Sequence, residues 1–393
     1  MRHAALLSFL ALAAQVLPSA TRAEDPKPVG SPAVPGYVPI GRDERGMWSE
    51  ADEDERQLKD SKLLIRDAGI NAYLRAVLCR TVGAGACATV RIYLIRLPVF
   101  NANMSANGVL QIYSGLLLRV RGEAELAAIL AHEFTHFTQR HNQSGLKKRR
   151  NAMSWAAWLT VTSLMTKESH NYFPEFLAGY FAYSRDQERE ADQLGLDLVG
   201  KAGYATMAAS SIWLHMREEQ DAQAGALGVK SLKDTDYGPF NSHPMDIERM
   251  TYLGRQGQAI ANGPGFEGLS EYRAAIAPLW PMLIDDQIKL NDFGGSEYVL
   301  ATLAHGDWTG PLLYARAELY RARAKAGDLL TAETLYRQAL VRPDAPVLAL
   351  RGLGLMLQRI GRGDESRKLL RDYLDREPQA PDHVMLAAIA NGD

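Results

Sequence analysis

Two histidines lie four residues apart in the segment AHEFTHFTQRHN, which spans residues 131–142. Residues four apart share one face of a helix, so His132 and His136 can converge on one ion. Zinc accepts two imidazoles together with a third protein ligand, and it keeps a position open for water. Glu133 stands where a base must stand to take a proton from that water. The segment therefore matches the H-E-x-x-H metal-binding pattern.

A third ligand is needed, and two common positions for it hold unsuitable residues. Gln139 and Asn142 stand where an extended motif would place glycine and histidine. Nineteen to twenty-one residues after the second histidine, positions 155–157 hold Trp, Ala and Ala instead of glutamate. His141 is nine residues after the first histidine, so we expect it on the opposite side of a continuous helix. The ligand must come from a later segment.

The later segment SRDQEREADQLG offers two carboxylates four residues apart. Glu188 can bind the metal, and Asp192 can accept a hydrogen bond from a ligand histidine and so fix its tautomer. Glu190 points away and is expected in solvent. Alone, Glu-x-x-x-Asp usually indicates an acidic helix face. The preceding H-E-x-x-H pattern and the small residues Ala191 and Gly195, which permit close packing, favour the metal site instead.

The elements that must position these residues are mainly helical. Helical patterns cover about 48–82 and 123–141, whereas 90–96 and 109–113 have the β-branched and aromatic residues of strands. The stretch FNANMSANG between the strands is rich in turn residues. We expect strand 109–113 to offer an exposed edge on which an extended peptide can pair. The predicted fold class is mainly α with a small β-sheet (α+β).

From about residue 270 the chain consists of helices in tandem. Residues 347–378 have the spacing of a tetratricopeptide helix pair, with leucines in place of the usual aromatic residues. One period earlier, Ala332, Tyr336 and Ala339 fit the second helix, but arginines 316 and 323 occupy apolar positions of the first. Two copies are fewer than a free-standing solenoid needs, so we expect this segment to pack on the preceding domain.

The N-terminus has the pattern of an export signal. A basic start precedes the apolar run 4–17, and small residues favour cleavage after Ala23. The run is shorter than the roughly 20 residues that span a bilayer. A second apolar run, 152–165, is also too short and favours a buried or groove-covering helix over membrane contact. No transmembrane span is expected in the mature chain.

The predicted organisation is signal peptide 1–23, flexible lead-in 24–47, metal-binding domain 48–268 and helical domain 269–393.

Charge and cysteine content narrow the function classes. A formal charge of −2 gives no support for binding nucleic acid. Cys79 and Cys87 are the only cysteines, and a Gly/Ala-rich loop joins them. Export implies an oxidising compartment, so a disulfide is expected, with two buried free thiols as the alternative. A two-cysteine zinc site lacks the necessary neighbouring cysteines.

The order of these motifs resembles a known family. Similar stretches run through 100–119, 123–141, 184–195 and 241–250 and continue into the helical repeats. Together they resemble the HtpX and CaaX-prenyl-protease family of gluzincin zinc metallopeptidases, most closely its exported BepA type with C-terminal tetratricopeptide repeats. The resemblance implies a zincin-like domain that holds one zinc ion per chain.

The resemblance also implies a role for each matching residue. His132, His136 and Glu188 match the zinc ligands, and Glu133 matches the general base. Asp192 matches the carboxylate that supports a ligand histidine. The remaining catalytic candidates are the two fixed residues of a His-Pro-x-x-x-x-Arg motif, His243 and Arg249.

In relatives, the histidine of that motif stabilises the oxyanion or caps the zinc as a fourth ligand in a resting state. Both roles suit an imidazole. The alternative is a structural one, in which His243-Pro244 forms a helix N-terminal turn and Arg249 forms an ion pair.

These observations predict an exported zinc endopeptidase that hydrolyses unfolded or misassembled envelope proteins, in the periplasm of a Gram-negative bacterium. The alternative is a chaperone or assembly factor that binds partners, such as outer-membrane assembly machinery, through its repeats and has a latent zinc site. A purely structural zinc site is disfavoured, because such sites are usually closed and rich in cysteine.

Overall fold

The computed structural model describes residues 30–142, 185–230 and 247–392. The fold is mainly α with a small sheet, as predicted. The predicted signal peptide, the apolar run 152–165 and His243 lie outside the described residues. The helices are α1 (Arg42–Lys59), α2 (Ala68–Val82), α3 (Ala84–Cys87), α4 (Ser114–Arg119), α5 (Glu123–Thr138), α6 (Arg185–Lys201), α7 (Ala208–Leu227), α8 (Ile247–Ile260), α9 (Leu269–Ile276), α10 (Trp280–Lys289), α11 (Phe293–Ala304), α12 (Gly310–Arg323), α13 (Asp328–Leu340), α14 (Leu348–Arg359), α15 (Gly363–Arg376) and α16 (His383–Asn391).

The sheet has three described strands in the order β1-β3-β2, where β1 is Arg91–Ile95, β2 is Ala102–Met104 and β3 is Val109–Tyr113. β3 pairs in parallel with β1 and antiparallel with β2. The expectation that 109–113 offers an exposed edge is therefore wrong, because this strand is central. Among the described strands, the edge beside α5 is β2. This strand is short and lies within the stretch that was predicted as turn.

The helix α5 is buried on almost every side. Leu126, Ala127 and Leu130 have no exposed surface. A helix that is apolar around its whole circumference belongs inside a protein, and α5 packs between α2, β2, α6 and α7. The histidines of its second half are thereby held in the interior.

The first helical region is longer and more divided than the sequence pattern predicted. α1 begins at Arg42, before the predicted start at 48, and residues 60–67 separate it from α2. Asp67 caps α2 by accepting a hydrogen bond from the Ile70 amide at 2.9 Å. At the other end of α2, Cys79 forms a disulfide with Cys87, and their Cα atoms are 4.9 Å apart.

An ion pair between a buried glutamate and a partly exposed arginine attaches α1 to the sheet. Arg91 on β1 donates to both carboxylate oxygens of Glu55, at 2.8 and 2.7 Å, and the Tyr93 hydroxyl donates at 2.7 Å. The hydrogen bonds from Arg91 lower the pKa of Glu55 from 4.5 to about 2, although burial opposes the shift.

The Glu55 carboxylate should therefore stabilise the fold in a pH-dependent way. A lowered pKa in the folded state contributes stability above the ordinary pKa, and this contribution is lost as pH falls toward the folded value. We expect Glu55→Gln to lower Tm at pH 7 and to have progressively less effect between pH 4.5 and pH 2. Thermal denaturation of both proteins across this range measures the difference. A pH-independent difference would contradict the assignment.

The C-terminal helices continue the core of the preceding domain. One apolar cluster extends from Ala33 to Leu319, and α11 packs against α7. This agrees with the expectation that the tandem helices pack on the first domain. Farther along, α12 and α13 pair, as do α14 and α15. Tyr336 on α13 is fully buried, and the unexpected Arg316 on α12 pairs with Glu297.

No helix among the described residues combines the length and the apolar character needed to cross a membrane.

Candidate metal centre

Close packing of α6 against α5 brings the carboxylates of α6 to the histidines of α5. Ala191 is fully buried. A Cβ atom on Gly195 would lie 3.1 Å from the His132 amide nitrogen and 3.3 Å from the Ala131 carbonyl carbon. The small methyl group of Ala191 and the absence of a side chain at Gly195 let the helix backbones approach. Glu188, two turns earlier on α6, consequently reaches the histidines of α5.

Three buried side chains converge in the way a metal ion requires. The Nε2 atoms of His132 and His136 are 3.0 Å apart. Oε2 of Glu188 lies 3.5 Å from the first of these nitrogens, and Oε1 lies 3.5 Å from the second. A tetrahedral ion with bonds of 2.0–2.1 Å separates its ligand atoms by roughly 3.3–3.4 Å. The donor types and their spacing therefore fit zinc.

Asp192 supports the site from behind His132. Its Oδ1 atom is 2.9 Å from Nδ1 of that histidine, the ring nitrogen that faces away from the ligand cluster. Burial would raise the pKa of Asp192, but the charge of Arg249 and the hydrogen bond from His132 outweigh it and lower the pKa to about 2. Asp192 is thus ionised, and a carboxylate in this position fixes which ring nitrogen carries the proton.

Arg249 joins the supporting carboxylate to the ligand carboxylate. It donates to both oxygens of Asp192, at 2.8 and 2.7 Å, and its Nη1 atom lies 2.9 Å from Oε2 of Glu188. The Tyr252 hydroxyl also donates to Asp192. The guanidinium stacks over Trp213, 4.4 Å from the ring centroid. One buried cation therefore balances two buried carboxylates.

His141 lies on the site, contrary to the sequence-based expectation. The helix α5 ends at Thr138, and Arg140 has a positive φ of 54°, so the chain turns back. His141 is buried, and its Nδ1 atom is 2.8 Å from Nδ1 of His136. The prediction that it faces the opposite side is wrong because it assumed a continuous helix.

The outer nitrogen of His141 contacts Glu190. Its Nε2 atom lies 3.2 Å from Oε2 of that glutamate, whose side chain is half-exposed. Glu190 was expected in solvent and is indeed exposed, but it also supports His141 as Asp192 supports His132. The pattern of residues gave no signal for this contact, because it depends on a positive φ at an arginine.

We expect His141→Ala to weaken zinc binding by about 10- to 100-fold, because His136 loses its orienting partner. His141→Gln retains a hydrogen-bonding group and should recover part of the affinity. Competition with a chromophoric chelator measures the zinc Kd. His305→Ala, which removes an exposed histidine after α11, is the matched control. Equal Kd values for His141→Ala and the control would contradict this role.

We expect Gly195→Val to separate α6 from α5 and to reduce both zinc affinity and Tm. Overpacking in a close contact typically costs about 1–3 kcal/mol. Gly225→Val is the control, because this exposed glycine of α7 has no heavy atom near its Cβ position. A Gly195→Val protein with the zinc affinity of the control would show that close helix contact is not what places Glu188.

Glu133 is buried beside the ligand cluster and, with His132, lines a cavity that leads away from it. The structure thus brings together five of the sequence-predicted site residues, with Arg249 as a sixth. His243 lies outside the described residues.

Comparison with known proteins agrees with this geometry. Residues 67–256 match Peptidase family M48. Mitochondrial metalloendopeptidase OMA1 of Schizosaccharomyces pombe is 29% identical over 204 residues, which cover 49% of this chain and 59% of the relative. Beta-barrel assembly-enhancing protease of Yersinia pestis is 28% identical, over 39% of this chain and 34% of the relative. Metalloprotease YcaL of Escherichia coli K12 is 27% identical, over 39% and 56%.

The match is confined to part of each protein. The chain spans about a third to three fifths of the length of these curated relatives. The matched region contains the H-E-x-x-H helix, Glu188, Asp192 and Arg249. Residues 67–256, which carry the converging ligands and the glutamate beside them, therefore form a domain of peptidase family M48.

Proposed function

We propose that this protein is a zinc-dependent endopeptidase that hydrolyses peptide bonds in unfolded or misassembled proteins. The observation that carries the proposal is the buried cluster of His132, His136 and Glu188, with Glu133 beside it and a cavity leading from it. Structural zinc sites have four protein ligands and need no adjacent base, whereas hydrolytic sites have three and leave room for substrate. The names of the relatives, all metalloproteases or proteases, support the same activity.

Zinc, when bound by these ligands, supplies a Lewis acid that acidifies water and polarises a carbonyl group. Glu133 acts as the general base: its carboxylate accepts a proton from the attacking water and returns it to the nitrogen of the leaving amine. Asp192 and Arg249 keep the His132 ring and the Glu188 carboxylate oriented throughout. No covalent bond between protein and substrate forms in this scheme.

For His243 we propose the two roles that the family resemblance implies. Its imidazole would donate to the oxygen of the tetrahedral intermediate, or it would serve as a fourth zinc ligand in a resting state. The ion pair of Arg249 with Asp192 and Glu188 supports a positioning role for the second residue of the motif.

Substrate binding through the backbone is favoured by the position of β2. Tyr113 N donates to Asn101 O, and Ser105 N donates to Val109 O. In an antiparallel pair, successive residues direct their N–H and C=O groups alternately toward and away from the partner strand. The N–H and C=O groups of Ala102 therefore point away from β3. An extended peptide that pairs there runs alongside α5. Backbone pairing favours unfolded protein over a strict sequence motif.

We further propose that the protein is exported to the periplasm of a Gram-negative bacterium, with signal peptide 1–23, lead-in 24–47, peptidase domain 48–268 and tetratricopeptide-like domain 269–393. The disulfide Cys79–Cys87 fits an oxidising compartment. Beta-barrel assembly-enhancing protease is the name of one relative, which favours outer-membrane assembly machinery as the partner of the repeats.

The second candidate function is that of a chaperone or assembly factor. The helix pairs α12–α13 and α14–α15 favour it, because tandem helix pairs commonly bind protein partners. A chaperone role should survive removal of the metal if the fold remains, whereas proteolysis should not.

Metal removal tests the proposal. The purified mature chain should contain one zinc ion per chain and cleave reduced, unfolded casein. Chelation should abolish cleavage, and stoichiometric zinc should restore it, while circular dichroism monitors the fold. A zinc-loaded, folded protein that cleaves no unfolded substrate but suppresses its aggregation would overturn the endopeptidase assignment in favour of the chaperone.

A further inference from the structure

The turn that follows α5 depends on one residue in an unfavourable backbone conformation. Arg140 has a φ of 54° and comes directly after Gln139, the C-cap of the helix. Helices often end with a left-handed residue at this point, but that residue is usually glycine, because a side chain makes the conformation unfavourable. The next residue is His141, whose Nδ1 atom lies 2.8 Å from that of His136. The conformation of Arg140 therefore decides whether His141 reaches the metal centre.

The side chain of Arg140 is held by Gly30–Glu44, which we call the N-terminal segment. Its Nη2 atom donates to the Gly30 carbonyl oxygen at 2.6 Å and to the Tyr37 hydroxyl at 2.9 Å. Its Nε atom donates to Oε1 of Glu44 at 3.2 Å, and the guanidinium lies over the ring of Tyr37, 5.3 Å from the centroid. These partners precede Arg140 by 96 to 110 residues. The turn at the metal centre is thus anchored by a distant part of the chain.

The anchor is sheltered from water and attached to α1. The side chain of Glu44 is 3% exposed and that of Arg140 is 18% exposed. Glu44 also accepts hydrogen bonds from the Tyr37 hydroxyl at 2.8 Å and from the Ile40 amide at 2.6 Å. The ring of Tyr37 packs on that of Trp48, with centroids 5.7 Å apart. Hydrogen bonds to charged groups are roughly twice as strong as neutral ones. They can therefore offset the cost of the left-handed conformation at Arg140.

From these contacts we propose that the N-terminal segment is a positioning element of the metal centre. It holds Arg140 in the left-handed conformation, this places His141 against His136, and zinc binds more tightly as a result. Arg140 and Tyr37 are positioning residues, because they act through His141 and not on the metal. The inference rests on zinc binding at the proposed hydrolytic site. It adds to that site a part of the chain that precedes the matched peptidase region, 67–256.

The zinc Kd of two variants, measured by chelator competition, separates backbone conformation from side-chain chemistry. Arg140→Ala removes the anchor and retains the penalty for positive φ. The turn that presents His141 should then be only fractionally populated, and the Kd should rise by about 5- to 30-fold. Arg140→Gly also removes the anchor, but glycine adopts positive φ about as readily as negative φ, so its Kd should stay within about threefold of the parent. Val38→Ala, which alters an exposed residue of the same segment, is the control.

Tyr37→Leu provides a second route to the same effect. It removes the hydroxyl and the ring that contact Arg140. It should raise the zinc Kd of the parent and leave the Kd of the Arg140→Gly protein unchanged. This variant replaces Arg140→Ala if circular dichroism shows that the latter does not fold.

Two results would overturn the proposal. A parental Kd for folded Arg140→Ala would show that the hydrogen bond from Asn142 to the Met104 carbonyl oxygen, at 2.9 Å, suffices to hold the turn. Equal losses of affinity in Arg140→Ala and Arg140→Gly would show that the arginine side chain matters for a reason other than backbone conformation.

Hydrogen exchange gives a readout that does not depend on hydrolysis. Because coupling between two sites is reciprocal, a segment that strengthens zinc binding must itself be stabilised by zinc. The amides of Tyr37 and Ile40, which donate to Val34 O and to Glu44, should exchange more slowly in the zinc-loaded than in the metal-free parent. Arg140→Gly should lose this difference. Exchange that zinc leaves unchanged in the parent would overturn the inference. A zinc-loaded parent that shows the slower exchange but cleaves no peptide would contradict only the proposed endopeptidase function.

Discussion

Glu133→Gln should abolish peptide hydrolysis and leave zinc binding intact. The substitution keeps the shape of the side chain but removes its ability to accept a proton, and general-base catalysis is typically worth about 10²- to 10⁴-fold in rate. Because Glu133 is not among the three converging ligands, zinc content should match that of the parent. The rate of casein cleavage, with zinc measured by atomic absorption, provides the test.

Glu190→Gln is a suitable control for this experiment. It removes a carboxylate from the same region of the molecule, but Glu190 contacts His141 and not the ligand cluster. Its activity should stay within a few-fold of the parent at saturating zinc. If Glu133→Gln retained parental activity with full zinc, then another group would have to be the base and the mechanism would be wrong.

Arg249→Met should be strongly destabilising. The arginine is buried, and its removal leaves Asp192 and Glu188 as two carboxylates in the interior without their shared cation. Removal of one partner from a buried ion pair typically costs about 3–5 kcal/mol. The loss of stability should be largest for the metal-free protein, because bound zinc supplies positive charge next to Glu188. Urea denaturation measures the free energy of unfolding of the metal-free and the zinc-loaded protein.

A surface pair of similar geometry provides the comparison. Arg96 contacts both carboxylate oxygens of Asp286 at 2.7 Å, but its side chain is 42% exposed. Arg96→Met should cost only about 0–1 kcal/mol. The double variant Arg249→Met with Asp192→Asn should be less destabilised than the sum of the single variants. Equal effects of the Arg249 and Arg96 substitutions would show that Arg249 does not balance buried charge.

Some features of the site could be predicted from the sequence because they depend on local geometry. Residues four apart on a helix share a face whatever surrounds the helix. This fixed the pairing of His132 with His136 and of Glu188 with Asp192. The class of fold was also predictable, since long amphipathic patterns and short β-branched stretches report their own secondary structure.

Other features depend on how distant segments pack, and the sequence pattern did not predict them. β2 was missed because three residues of weak β propensity become a strand only by pairing with β3. The position of His141 was mispredicted because a positive φ at Arg140, a residue that rarely adopts one, ends α5 and turns the chain.

The sequence by itself determined which residue types could bind a metal and act as a base, and which of them share a helix face. The tertiary structure decided how they meet. It set the contact of Gly195 with the backbone of α5, the ion pair of Arg249 with two carboxylates, and the cavity next to Glu133. The physical reason is that helical periodicity is a property of neighbouring residues, whereas contacts across tens of residues depend on how complete elements pack.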